Sequence, residues 1–355
     1  MTLPHTYVAA LLLTILSMIC WGSWANTFKL AGRWRFELFY FDFAIGVMAA
    51  ALLYAYTFGS LGFDGFLFSD DLMHTGKRQI FDGFAGGVVF NLANMLLVAA
   101  ISLAGMSVAF PIGIGMALII GVVWNYAIKP VGNPQMLFFG CAIIVGAIVV
   151  DALAYRSLAA LKFEQLAKAG KAKSTRKTVS IKGVVLSIIC GILMGSFFPL
   201  VTMGRASDLG GTAGDAGMGP YAIGVVFALG ILLSTPIFNL FFMNLPIQGE
   251  PIEIPEYFRG SLKHHLLGWL GGMIWMTGGM ANFVASSAPA TVQVGPATSY
   301  AIGQGATMVS ALWGLLVWKE FAGSDSKIKL LLLLMFVLFL CGLALVAVAP
   351  RFPVG

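Results

Sequence analysis

Ten stretches of mostly apolar residues run along the 355-residue chain, separated by short polar or glycine-containing breaks. They lie near 6–28, 37–59, 81–104, 106–128, 134–156, 181–204, 219–245, 262–287, 290–318 and 328–349. Each is long enough for the roughly 20 residues a helix needs to cross hydrocarbon. The pattern predicts an all-α integral membrane protein of ten transmembrane helices. One break stands apart: residues 157–180 are long and basic, and they divide the spans five and five. The chain therefore reads as a first five-helix unit over 1–156, a linker over 157–180 and a second unit over 181–355.

The two units share markers in the same order. Span three opens GFAGG (Gly83–Gly87) and span eight opens GWLGG (Gly268–Gly272), an offset of 185 that Pro111 and Pro296 also show. Spans two and seven share AIGV at Ala44–Val47 and Ala222–Val225, and spans one and six share Gly-Ser at 22–23 and 195–196. Ordered matches of this kind point to duplication. An odd number of spans per unit makes the two halves insert with opposite orientation, as an inverted repeat.

Charge sets the orientation. Of the 21 lysines and arginines, 16 fall in or beside the segments that follow odd-numbered spans. Positive charge stays cytoplasmic. The 157–180 linker is therefore expected inside and both termini outside, in the cell (inner) membrane. Composition agrees: 59% of residues are hydrophobic and 10% charged, with 43 glycines suited to close helix packing. The net charge of +6 is topological and does not point to nucleic acid. Cys20, Cys141, Cys190 and Cys341 are isolated in apolar stretches, so no metal, cofactor or disulfide framework is expected. The first apolar run outlasts a signal's short core and reads as a retained helix.

Polar groups in hydrocarbon cost free energy unless paired or wetted, so each is a site candidate. Span one offers Trp21, Trp24 and Asn26. Span three offers Asn91 and Asn94, three apart and so on one helical face. Span eight offers Trp275, Thr277 and Asn282, and span nine Gln293, Thr298, Tyr300 and Gln304. Gln293 and Thr298 flank Pro296, where a broken hydrogen-bond ladder would free carbonyls. The substrate-binding set is Trp24, Asn26, Asn91, Asn94, Trp275, Asn282, Gln293, Tyr300 and Gln304. Amides, hydroxyls and aromatic faces suit a neutral planar or polyhydroxy solute. The competing role for the amides is to bond helix to helix, and for the tryptophans, interfacial anchoring or packing.

Few acids reach the membrane. Asp42 sits early in span two with Glu37 at its mouth, and Asp151 lies near the inner end of span five close to Arg156. Asp42 and Glu37 are the expected proton-coupling residues. The alternative pairs them with Lys29, Arg33 or Arg35 in an ion cluster. His264–His265 is read as interfacial. No H-E-x-x-H or G-x-S-x-G occurs. Gly170-Lys171 lacks the glycine before and the Ser or Thr after that a phosphate loop requires.

FYFDFA (Phe39–Ala44), AYTFGSLG (Ala55–Gly62), AGGVVFNLAN (Ala85–Asn94), GMSVAFPIG (Gly105–Gly113) and WGLLVWKE (Trp313–Glu320) resemble the ureide permease family of the drug/metabolite transporter superfamily. The Lys29–Glu37 segment is more faintly similar to the rhamnose and glucose/ribose uptake carriers. The resemblance implies ten helices, a cytoplasmic central loop, and proton-coupled uptake of ureides such as allantoin or of oxo-purines and uracil. Asp42 and Asn94 match the family's motif residues. The short linker departs from the long loop and Walker-type motif of plant members. The expected activity is secondary active transport of a small neutral solute, with a proton, by alternating access. The rivals are a monosaccharide carrier and, from another class, a membrane-embedded enzyme or scaffold subunit.

Overall fold

The computed structural model describes residues 1–61, 67–168, 180–206, 216–246 and 250–352, with all side chains but those of Met106 and Ser107. Residues 169–179 of the expected basic linker lie outside the described residues. Among the described residues nine helices are long and apolar enough to cross a membrane. The protein is an all-α multi-pass membrane protein.

Span one is α1 (Tyr7–Ser23) followed by α2 (Ala25–Ala31), with α1 capped by the Thr6 hydroxyl on Ala9 N. Span two is α3 (Phe36–Tyr56), and a short helix α4 (Phe68–His74) precedes α5 (Lys77–Ala104). Then come α6 (Met106–Ile128), α7 (Pro134–Lys168), α8 (Ile181–Gly204) and α9 (Pro220–Asn244). The second half closes with α10 (Pro255–Phe258), α11 (Leu262–Ser286), α12 (Pro296–Gly303), α13 (Ala306–Leu312), a π turn at Trp313–Val317, and α14 (Ser326–Val348).

Three differences from the sequence reading have physical causes. Helix α7 runs to Lys168 rather than stopping near 156, because 157–168 is rich in strong helix formers and carries the Glu164–Lys168 pair at 2.7 Å. Span nine begins at Pro296 rather than 290. Proline at the first helical position and Gly295 at φ +80 both stop the helix from growing backwards. Helix α11, at 25 residues, has the length of its neighbours but is not among the nine apolar helices, since its glycines, histidines, Thr277 and Asn282 dilute its hydropathy.

Helix α11 packs between α1 and α3, while α5 packs against α8 and α9. Helix α6 lies on α8, and α12 and α13 lie on α1. Helices α3 and α9, α6 and α12, and α7 and α14 meet as pairs. Exchanging the first-half helices for their second-half counterparts turns this set of neighbours into itself. The detail repeats too. A Cβ on Gly272 would sit 2.0 Å from the Phe43 carbonyl oxygen, and one on Gly87 2.1 Å from that of Phe227. Gly46 and Gly230 make the same approach to Trp269 and Phe84, at 2.1 and 2.3 Å. FAIG (Phe43–Gly46) and FALG (Phe227–Gly230) thus occupy matching places, and the AIGV string at 222–225 lies six residues short of that register. The matched pair before spans four and nine is likewise glycine, not proline. Gly105 and Gly295 cap α6 and α12 at φ 81, ψ 156 and φ 80, ψ 154, whereas Pro111 lies inside α6.

These contacts leave no room for a side chain. Gly272→Val is expected to cost about 3 kcal/mol or more by overpacking. Gly146→Ala, where a Cβ meets nothing within 4 Å, should be neutral or stabilise by about 0.5–1 kcal/mol. Unfolding midpoints of the two variants in detergent check the pair.

Candidate functional site

Spans one and nine are both interrupted, and the interruptions face each other. Span one breaks at Trp24, placing Trp24 and Asn26 at the junction of α1 and α2. Span nine breaks at Gln304 and Gly305, between α12 and α13. Between them lies a cavity of about 460 Å³, walled also by α5, α6, α7, α8 and α11. That volume falls within the roughly 300–1,000 Å³ of small-molecule sites.

Aromatic faces form its deep end. Trp21 and Trp275 stack at 5.8 Å and 15°, and Phe90 packs on Trp275 at 4.2 Å and on Phe197 at 5.3 Å. Above them the polar groups are few and mostly unspent. Asn94 Nδ2 donates to the Tyr40 hydroxyl at 3.1 Å, leaving its carbonyl oxygen free. The Gln304 amide and the Thr307 hydroxyl line the cavity and, among the described residues, make no side-chain hydrogen bond. Asp151 is also on the wall, 6% exposed, with Oδ1 unpartnered.

The mouth lies at the linker end of the bundle. There Trp318 Nε1 donates to Asn26 Oδ1 at 2.6 Å, and Lys29 pairs with Glu320 while lying 4.4 Å over the Trp318 ring. Glu320 also accepts from the Tyr155 hydroxyl at 3.4 Å, and its carbonyl accepts from Lys162 at 3.0 Å. The chain aims Glu320 inward by a sharp reversal after the π turn. Lys319 takes φ +50, rare for a residue with a side chain, and Glu320 N–H donates to Gly314 O at 2.9 Å. Side-chain exposures of 44% and 31% for Lys29 and Glu320 show that the mouth is wet.

The opposite end is sealed. Tyr300 is fully buried, donates to Met194 O at 3.1 Å, and packs on Phe197 and Phe198 at 5.9 and 5.3 Å. Arg205 donates to Ser286 Oγ at 2.7 Å, and Thr202 to Asn125 Oδ1 at 2.6 Å.

Of the expected binding residues, Trp24, Asn26, Asn94, Trp275 and Gln304 line the cavity, and the other four do not. Asn91 Nδ2 is spent on Ser234 Oγ (2.7 Å), Thr235 Oγ1 (3.1 Å) and Ile231 O (3.2 Å), tying α5 to α9. Asn282 donates to Ser17 Oγ and Ser299 O, both at 3.1 Å, and accepts from Ser299 Oγ at 2.6 Å, joining spans one, eight and nine. Tyr300 braces the sealed end. Gln293 falls in the irregular segment before α12 and does not line the cavity, because the helix starts later than the hydropathy suggests.

The two expected proton carriers also stand off the cavity wall. Glu37 is ion-paired to Arg35 at 2.7 Å, as the cluster reading had it. Asp42 is 1% exposed and joins neither Lys29 nor the arginines. It is gripped by Tyr257 O–H and His265 Nδ1, each at 2.7 Å, and a Cβ on Gly268 of α11 would touch its Cβ. Desolvation first, then the Asp42 carboxylate, push the Tyr257 phenol above its ordinary pKa, so it remains the donor. His265, read as interfacial, is therefore a partner of a buried acid. Phe90, Phe197 and Thr307 were not singled out as site residues. In an apolar span such side chains look like core, and only their direction reveals them.

The family model for ureide permeases matches residues 39–183, which include Asp42, Asn94 and Asp151. The chain is 24% identical to Ureide permease 1 of Arabidopsis thaliana over 95% of both chains. It is 21% identical to Ureide permease 5 of the same plant, over 93% of this chain and 91% of that one. A crystal structure superimposes over 97% of this chain and 98% of its own with a TM-score of 0.58 at 14% identity, which shows a shared fold. The named relatives are permeases rather than enzymes, and this multi-pass membrane protein is similar to ureide permeases along nearly its whole length.

Proposed function

We propose that the protein carries a ureide or a related oxo-purine or pyrimidine across the cell membrane by alternating access, together with a proton. The observation that carries this reading is the cavity itself: flat aromatic walls beside the uncommitted amides of Asn94 and Gln304. Such heterocycles present a stackable face and an edge of alternating N–H donors and C=O acceptors. A carboxamide matches both edge groups, and stacking requires no charge on the solute.

The bundle is two inverted five-helix repeats. The exchange-symmetric packing of helices and the matched glycine contacts support it. Helix α11 is the tenth span, its polar residues turned to its neighbours. With basic segments held cytoplasmic, the linker end is inside and both termini are outside. The cavity then faces the cytoplasm, and Tyr300, Phe198 and Arg205 close the outer path. Opening outward would require the sealed end to part and the Lys29–Glu320 end to close, with spans three, four, eight and nine rocking about the site.

Asn91, Asn282 and Asp42 are helix braces in this reading. Wild-type protein in liposomes should take up labelled allantoin or uracil saturably, faster with acid outside, and show trans-stimulation. Uptake competed by rhamnose or ribose, and not by allantoin or uracil, would instead assign a sugar carrier. Gln304→Leu should raise KM about 3- to 10-fold, the worth of one neutral hydrogen bond, with an unchanged unfolding midpoint. Asn91→Leu should do the reverse. Asp42→Asn should lower the midpoint by several degrees, yet the folded protein should still accumulate solute against its gradient. Abolished accumulation with an unshifted midpoint would move Asp42 from brace to coupling residue.

A further inference from the structure

Asp151 has no structural task that the bundle explains. It sits on α7, and its Oδ1 accepts no hydrogen bond. Among the described residues no ion pair includes it, and Arg156, five residues on, is exposed and does not pair with it. The other buried acid on the linker side, Asp42, holds two donors, which makes the contrast sharp. A carboxylate left unpaired in a low-dielectric wall is costly in its charged form and is relieved by taking a proton.

The surroundings limit what else could neutralise it. On α7 itself the neighbouring titratable group is Tyr155, one turn further on and directed to Glu320. From α2 the nearest cation on the cavity wall is Lys29, already paired to Glu320. Lys162 is committed to the Glu320 carbonyl. Helix α6, which packs on α7 and supplies Phe110 and Ile114 to the cavity, contains no acidic or basic residue. Helix α14, packed on the other side of α7, carries Lys327 and Lys329 in its first turn, beyond the cavity wall. Among the described residues Asp151 therefore faces a wet cavity with no countercharge, next to a mouth where Lys29 and Glu320 are paired.

We propose that Asp151 is the carboxylate that takes up and releases the coupled proton. This rests on the carrier reading above and names the residue it needs. Facing outward, Asp151 accepts a proton from water, and the neutral acid lets the bundle close over solute and proton together. Facing inward, the proton passes to cytoplasmic water through the mouth at Tyr155 and Glu320. No bond other than O–H forms or breaks, and no electron is transferred.

Asp151→Asn and Asp151→Glu in liposomes test it, with unfolding midpoints to establish that both are folded. Asp151→Asn should exchange labelled solute with wild-type affinity but lose accumulation driven by a pH gradient. Asp151→Glu should retain accumulation with a displaced pH profile. Wild-type accumulation by Asp151→Asn would overturn the assignment. So would loss of solute binding and exchange together, which would make Asp151 a solute ligand. Infrared titration of the purified protein separates this inference from the substrate reading, since it needs no solute. A carboxylic-acid band that appears with falling pH and is missing from Asp151→Asn supports the proton site even if wild type moves neither allantoin nor uracil. Absence of such a band overturns it even if wild type moves both.

Discussion

A polar side chain inside a bilayer must be bonded to protein or touch water, because hydrocarbon offers neither donor nor acceptor. Several buried polar residues of this bundle differ in how they meet that constraint. Asn282 and Tyr300 spend their polar atoms on the backbone or hydroxyls of adjacent helices, and Asn91 spends its Nδ2 there while its Oδ1 finds no partner among the described residues. Asp42 does so on Tyr257 and His265. Asn94, Gln304, Thr307 and Asp151 keep at least one polar atom in reserve, and all four line one cavity. Wet surroundings explain how they persist there, and the reserve is what a solute or a proton can use.

The same constraint makes the two ends of the bundle different in kind. At the sealed end, Tyr300 donates to the backbone of α8 and lies close against Phe197 and Phe198, so parting these helices exposes both a phenol and a run of aromatic surface. At the mouth the ties are between long side chains, Lys29 to Glu320 and Trp318 to Asn26. Ties of that sort give little stability where water competes for them, and they can be remade with different partners as the helices tilt. The wall at the mouth is thus soft while the opposite wall is firm, which is the asymmetry expected of a carrier at rest in one of its two states.

Much of this was legible in the chain. Hydropathy placed nine of the ten helix starts within four residues, and only span nine began six residues late. The cavity positions of Asn94, Trp275 and Gln304 were also readable, since each is a polar or amphipathic group in an apolar run. What periodicity could not supply was direction. Asn91 and Asn94 share a helical face, yet one meets α9 and the other opens to the cavity, because three residues turn the helix by about 60° from that face. His265 could not be joined to Asp42 from sequence, 223 positions apart, without knowing that α11 packs on α3. Proline misled as a repeat marker: Pro111 and Pro296 share an offset but differ in role, while Gly105 and Gly295 share a backbone conformation that only glycine adopts readily.

Under the proposed duplication, symmetry also indicates where symmetry must fail. Gly140 and Gly342 meet where α7 crosses α14, each beside the residue four positions on in the other helix, Val346 and Ile144. Asp151 lies eleven residues on from Gly140, and eleven on from Gly342 the sequence has a proline in place of an acid. The carboxylate of the first half has no equivalent in the second. The two halves thereby differ by an ionisable group on the cavity wall. A protonation event at that position biases one arrangement over the other by its differential cost in the two. A fold built by repetition can acquire a coupling element by departing from the repeat on its cavity wall, and under the proposal above Asp151 is such a departure.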